Sequence, residues 1–393
     1  MADPPPSSRP LLMREPQSLN PTIRRVVLAL VLALSGAGAL AQDLSEPRNN
    51  RIYAARAGQA RIAVDPSPAL QWQVVDEAGA VVRAWASSEP AGEIAVPIGG
   101  WYRLMLRNAL ASGEGQPIGG RFAVGMVVLI TGQSQAEAFF QGSLPLAGAH
   151  PVGRRDPPQP PVTAVLTDCN GPRPYCAGDN TFWQIAPEGL GARLLLVALA
   201  ERWRMPVGLV NAATGAASAA QLADRAQPAG NRLTRMAASA APLSAAVIMG
   251  HGTTDAFFPT TPEAFDAAMA TIVATLRDNG PPALPVLLSP LPPLTQASSS
   301  MTHPTTLSLM RDNWLQWLGL QPGAALDGYG QARAEAIRDA QRRLMRSLSL
   351  LDGGSLERVR PGLDGIHWSE AGVREAARVT AAALIRALPL SRP

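Results

Sequence analysis

The chain changes rhythm once, near residue 125. Before that point, apolar and polar positions alternate in short segments. Ala60-Arg61-Ile62-Ala63-Val64 and Leu70-Gln71-Trp72-Gln73-Val74-Val75 are two of them, separated by Gly, Pro, Ser and Asp. Period-two alternation punctuated by turn formers predicts antiparallel β structure. Trp101-Tyr102-Arg103-Leu104-Met105-Leu106, opened by Gly99-Gly100, reads as a further strand of this unit. After Gly125, continuous apolar runs alternate with longer amphipathic stretches, the pattern of a mostly parallel sheet buried beneath helices. Strands are predicted at 126–130, 206–211, 245–249 and 284–288. Helices are predicted at 191–203, 262–277, 330–348 and 369–388, with Thr260 or Thr261 capping the second and Ser369-Glu370 opening the last. Residues 143–188 and 290–328 read as long irregular stretches, which in a domain of this kind tend to wall a site.

A length of 393 residues and a 47% hydrophobic composition suit one sizeable α/β core with a smaller companion. The predicted organisation is a leader at 1–41, a small β-sandwich-like domain at 42–123 and an α/β domain at 124–393. The leader carries Arg24-Arg25, an apolar run from Val26 to Leu40, and Ala39-Leu40-Ala41 before Gln42. That is the form of a signal peptide with an A-x-A cleavage site, and it implies a periplasmic or secreted protein. A membrane anchor is the alternative, but the strongly apolar part is shorter than the roughly 20 residues a bilayer needs. Because the polar stretch before Arg24 is long, Met13 is an alternative start. After leader removal no stable membrane insertion is expected.

Charge removes further classes. The chain has no lysine, which excludes Schiff-base chemistry, a Ser–Lys dyad and a Walker P-loop. The net charge of +4 falls to +2 without the leader, and no Arg run is interleaved with aromatics, so nucleic acid is not an expected partner. Cys169 and Cys176 flank a turn-rich stretch, and in an exported protein they are expected to form a small loop disulfide. A structural zinc site normally takes four ligands, and no His lies near them in sequence, so no metal is expected.

Two constellations carry chemistry. The apolar run Val127-Val128-Leu129-Ile130 ends in Thr131-Gly132-Gln133-Ser134-Gln135, which places a serine at the carboxyl end of a strand, where open α/β sheets collect functional groups. Alone, such a serine is also what an ordinary helix cap looks like. Far along the chain, Asp364-Gly365-Ile366-His367 spans a tight turn before the last helix. A carboxylate at i and an imidazole at i+3 can share the Nδ1 proton and leave Nε2 free as a base. Alone, that too suits a surface turn. Together they suggest a Ser134/Asp364/His367 triad.

On these residues the chain resembles the SGNH (GDSL-type) hydrolase superfamily, and within it the sialate O-acetylesterase-like carbohydrate esterases. Their nucleophile block, Gly-Gln-Ser-Asn, is similar to Gly132-Gln133-Ser134-Gln135, and the lead-in from Ala123 to Leu129 is similar too. Their Gly-Gly-Thr-like turn resembles Asn211-Ala212-Ala213-Thr214-Gly215-Ala216, where one of the two glycines is kept. Their Trp-x-Gln-Gly-Glu-Ser-Asp block departs to Met249-Gly250-His251-Gly252-Thr253-Thr254-Asp255. Asp364 to Gly372 is the nearest match, and Ile337 to Arg342 resembles the helix upstream of it.

The resemblance covers residues 123–393 and implies a three-layer α/β/α fold. It also implies an acyl-enzyme mechanism without metal or organic cofactor, and an oxyanion hole from Ser134, Gly215 and His251. Gln133, Gln135 and Asp255 are candidates for contact with an acetylated carbohydrate substrate, and Asp255 alternatively holds its loop. His251 alternatively only caps the turn after its strand. Two other functions remain open: a lipase or thioesterase of the same superfamily, or an inactive glycan-binding protein of the cell envelope. His150 and His303 read as solvated loop residues. Trp183, Trp314 and Trp317 read as packing aromatics rather than a sugar-stacking face.

Overall fold

The computed structural model describes residues 47–137, 139–140, 162–168, 181–185, 189–257, 260–292, 331–356, 358–359 and 368–388. The β-rich part contains β1 (Arg51–Ala54), β2 (Gln59–Ala63), β3 (Leu70–Asp76), β4 (Val81–Ala86), β5 (Glu93–Pro97) and β6 (Gly99–Asn108). These feed into β7 (Gln116–Gly132), a strand of 17 residues whose second half is almost wholly buried.

β7 belongs to both parts of the protein. Its first half pairs antiparallel with β6, which pairs with β3, and parallel with β1 through Arg51 to Ala54 against Phe122 to Gly125. Its second half is the centre of the parallel sheet, flanked by β10 (Val207–Asn211) and β11 (Ala246–Gly250). Outward on one side come β8 (Thr163–Asp168) and the antiparallel β9 (Thr181–Gln184). On the other side come β12 (Val286–Leu288) and β13 (Leu351–Asp352), giving the order β13-β12-β11-β7-β10-β8-β9. The boundary expected between residues 123 and 124 falls inside β7, and the chain from Ser45 onward packs as one unit.

The helices are α1 (Ser134–Glu137), α2 (Leu190–Trp203), α3 (Ala219–Ala223), α4 (Pro228–Ala240), α5 (Thr253–Phe257), α6 (Pro262–Asn279), α7 (Gln331–Ser347) and α8 (Glu370–Ala387). Strand alternation divides them between two layers. Val127 and Leu129 of β7, Val210 of β10, and Val247 and Met249 of β11 point into one core with α4, α6 and α7. Met126, Val128 and Ile130, with Val207, Leu209, Ala246 and Ile248, point into the other with α2 and α8. Both faces are therefore apolar, which is why these strands read as unbroken hydrophobic runs rather than alternating ones. Ile52 and Trp101 of the β-rich part contribute to the first of these cores.

Several sequence expectations are met locally. Thr261 caps α6, its hydroxyl accepting from the Ala264 N–H at 3.2 Å, and Ser369 caps α8, accepting from the Gly372 N–H at 3.1 Å. Trp183 is 8% exposed and sits in the core, as a packing aromatic does. One expectation is corrected, because the stretch read as irregular contains β8 and β9, which extend the sheet. Among the described residues, no helix is long and apolar enough to cross a membrane.

Candidate active site

β10, β7 and β11 end side by side, and the turn after β7 is tied to both neighbours. The Thr214 N–H donates to the Gly132 carbonyl at 2.9 Å, and the Gln133 N–H donates to the Gly250 carbonyl at 3.1 Å. Gly132 makes the turn possible. Its φ is +149°, and a methyl group there would lie 2.3 Å from the Gly250 carbonyl oxygen. The chain then enters α1, whose first residue is Ser134, half-buried at the carboxyl edge of the sheet. The strand-end serine read from the pattern is thus at the mouth of the central strand.

Gly215 lies on the loop between β10 and α3, beside the turn that carries Ser134. A methyl group on it would sit 2.3 Å from a carboxylate oxygen of Glu137, which places that carboxylate at the edge of the candidate site. The loop is held from below by Arg232 of α4, 4% exposed. Its guanidinium donates to the carbonyls of Asn211, at 2.9 Å, and Ala213. Neither Glu137 nor Arg232 was singled out by sequence. Glu137 has a local signal, three positions after Ser134 in the same helical turn. Arg232 has none, because its carbonyl partners leave no trace in side-chain pattern.

His251 follows β11 directly and is 2% exposed. Its backbone is clamped from α7, by a residue whose sequence pattern marks it only as helical. The Gln341 side chain of α7 donates to the His251 carbonyl at 2.7 Å and accepts from the Leu291 N–H at 2.8 Å, bridging the turns after β11 and β12. Both imidazole nitrogens lack a partner among the described residues. The ring lines a pocket with Gln135, Phe139, Ile248, Leu291 and Trp368. Burial in that apolar wall pushes its pKa from the ordinary value down to about 4, so it is neutral at pH 7 and carries one N–H donor.

Gln133 and Asp255, two of the candidates for substrate contact, are bonded to each other. Both are 1% exposed. The Gln133 amide donates to Asp255 Oδ2 at 2.9 Å, and its carbonyl oxygen accepts from the Thr254 N–H at 3.0 Å. The Ala219 N–H reaches Asp255 Oδ1 and Oδ2 at 3.1 and 3.2 Å. Burial outweighs these donors and raises the Asp255 pKa to about 6. Gln135 is buried too, against the pocket.

Asp364, His367, Cys169, Cys176, His150, His303, Trp314 and Trp317 lie outside the described residues. The residue after His367 is described. Trp368 makes an edge-on contact with Phe139, with ring centroids 5.5 Å apart, and lines the same pocket as Gln135 and His251. Chain neighbours of the two candidate catalytic side chains thus meet at one place.

The two buried titratable groups act oppositely on stability. For His251 the unfolded chain takes up a proton first, so stability falls as pH drops through 6.5 towards 4. For Asp255 the folded chain holds its proton longer. Its contribution is full below about 3.8 and is lost as pH rises through about 6. Each is worth about 3 kcal/mol over its window, so between pH 4 and 6 they offset one another. Urea unfolding at pH 4.5 and 6 is expected to give a steeper rise of stability with pH in Asp255→Asn than in the parent, and a fall in His251→Gln. Variants that keep the parent's slope would show that neither group titrates as its burial requires.

No family model matches the sequence, and no curated protein matches it. Among solved structures the chain is similar to a carbohydrate acetylesterase from Xanthomonas citri at 18% identity and a TM-score of 0.50, covering 86% of this chain and 73% of that one. It is also similar to the carbohydrate acetylesterase Est24 from Sinorhizobium meliloti, at 17% identity and a TM-score of 0.41, with 67% and 100% covered. A third is a lipase/acylhydrolase from Enterococcus faecalis, at 12% identity and a TM-score of 0.40, with 68% and 98% covered. At these identities the likeness is one of fold, and the expected fold, a mostly parallel sheet between helical layers as in SGNH hydrolases, is the fold observed.

Proposed function

We propose that the protein is a serine esterase that removes O-acetyl groups from a sugar or polysaccharide outside the cytoplasm. The observation that carries this reading is the placement of Ser134. It opens a helix at the end of the central strand, and its turn is bonded to the strand ends that lead to Gly215 and His251. In the proposed reaction, Ser134 Oγ attacks the ester carbonyl while its proton passes to His367 Nε2, with Asp364 holding the imidazole tautomer. The oxyanion is stabilised by the N–H groups of Ser134 and Gly215 and by the neutral His251 ring. His367 then protonates the departing sugar oxygen. Water enters, gives a proton to His367, attacks the acyl-enzyme and releases acetate, and the proton returns to Ser134 Oγ. The acetyl-sugar substrate is supported by the signal-peptide pattern of the leader and by the family resemblance.

A second reading, a lipase or thioesterase, is supported by the apolar walls beside the nucleophile, where Phe139, Ile248, Leu291, Leu356 and Trp368 line one pocket. One screen separates the two. The chain from residue 42 is expected to release acetate from acetylated xylan, acetylated cellulose or O-acetyl sialic acid, and to cleave 4-nitrophenyl acetate well above the decanoate. No acetate release beside efficient cleavage of long acyl esters would establish the second reading. A folded parent inactive on all of them would leave glycan binding as the function.

A further inference from the structure

Three parts of the chain that are far apart in sequence meet on one carboxylate. Asp255, in α5, holds the Gln133 side chain from the turn that precedes Ser134, and it holds the Ala219 N–H from the start of α3, four residues beyond Gly215. All three residues are fully buried, so no water competes for these bonds. The ends of Gln133 are not interchangeable. Its carbonyl oxygen is committed to the Thr254 N–H, which forces its NH2 toward Asp255 and makes an acceptor at position 255 obligatory. The Ala219 N–H is equally bound to need one, because it opens a helix and has no intrahelical acceptor.

We propose that Asp255 is a positioning residue, which fixes the nucleophile turn relative to the loop that carries Gly215 and so holds the two backbone oxyanion donors at a set separation. This rests on the esterase reading of the site. Asp255 touches neither substrate nor reacting atoms in this scheme and acts through Gln133 and Ala219. The reason to hold these parts by a buried carboxylate is directional. Ser134 is one residue beyond Gln133, so a rotation of the Gln133 backbone swings the Ser134 N–H away from the developing oxyanion. Packing alone permits such small rotations, whereas two charge-assisted bonds at 2.9 and 3.1 Å resist them.

The test is a donor–acceptor swap. Asp255→Asn has one oxygen where the carboxylate has two, so in either orientation its NH2 faces a donor, the Gln133 NH2 or the Ala219 N–H, and Gln133→Glu alone sets two acceptors against one another. Combined, they restore complementarity, because the carboxylate introduced at position 133 then accepts both from the Thr254 N–H and from the amide introduced at position 255. With 4-nitrophenyl acetate, each single variant is expected to lose about 10–100-fold in kcat with KM within about twofold, and the double variant to recover to within about threefold of the parent. Equal kcat in parent and Asp255→Asn, or a double variant no better than the worse single one, overturns the proposal. Amide hydrogen exchange over 133–137 and 214–219 reads the same lock without turnover. It is expected to speed up in each single variant and to return in the double. A parent that hydrolyses no ester therefore sinks the esterase reading alone, and unchanged exchange sinks the lock alone.

Discussion

Ser134→Ala is expected to lower kcat for 4-nitrophenyl acetate by roughly 10⁴–10⁶-fold while leaving the thermal midpoint within a few degrees of the parent. The asymmetry follows from where the side chain sits. Ser134 is half-buried at the first position of a four-residue helix, and the turn around it is held by backbone bonds from Gln133 and Thr214 that alanine leaves untouched. Only the hydroxyl is lost, and with it the covalent route. His367→Ala is expected to cost a comparable factor, and the double variant to be no slower than the slower single one, because the nucleophile and its base act as a unit. Labelling by a fluorophosphonate reports the same event independently and is expected to vanish in Ser134→Ala. Activity within tenfold of the parent, or undiminished labelling, would remove Ser134 as the nucleophile.

The largest effect on the fold is expected from one methyl group. In Gly132→Ala the new carbon would lie 2.3 Å from the Gly250 carbonyl oxygen and 2.8 Å from the Ala136 β carbon, at a φ of +149° that an L side chain rarely adopts. The carbonyl belongs to the β11 backbone and accepts the Gln133 N–H, so it cannot retreat without opening the turn that carries Ser134. Strain and displaced backbone together are expected to cost more than about 4 kcal/mol, by loss of soluble protein or a fall in urea midpoint. The paired control is Gly250→Ala, directly across the ladder. Among the described residues its new methyl would meet only the Ala136 β carbon, at 3.6 Å, an ordinary contact. That variant is expected to cost less than about 1 kcal/mol. Similar losses in both would mean that the positions are merely intolerant of bulk, and that the turn geometry is not the cause.

How far the sequence was legible depends on the range of the interaction concerned. Val127 to Ile130 and Val207 to Val210 announce themselves because burial on both faces demands an unbroken apolar run. The caps at Thr261 and Ser369 are visible because the partner N–H is three residues away. β8 is not legible because Thr163 to Asp168 is short and mixed in polarity and follows a run of prolines, so only its neighbours β10 and β9 make it a strand. The site divides the same way. Ser134 follows from a strand end, and Gly215 from the family resemblance. What holds them does not: Arg232 binds backbone carbonyls, Gln341 joins two turns that are remote in the chain, and Asp255 lies 122 positions from the glutamine it holds. A motif match supplied Asp255 as a candidate and left open whether it meets substrate or holds its loop; only the bonds to Gln133 and Ala219 show what it holds.

The shared strand has a further consequence for how the chain is made. During synthesis the β-rich part emerges first and can pair the front of β7 with β1 and β6, while the apolar rear of the same strand waits for β10 and β11. Those partners leave the ribosome roughly 80 to 120 residues later, which at about 5–20 residues per second is a delay of several seconds or more. Throughout that interval Met126 to Ile130 is an unsatisfied, sticky ribbon already fixed at one end to folded protein. The segment that leads into Ser134 is therefore the one most in need of shielding in the nascent chain.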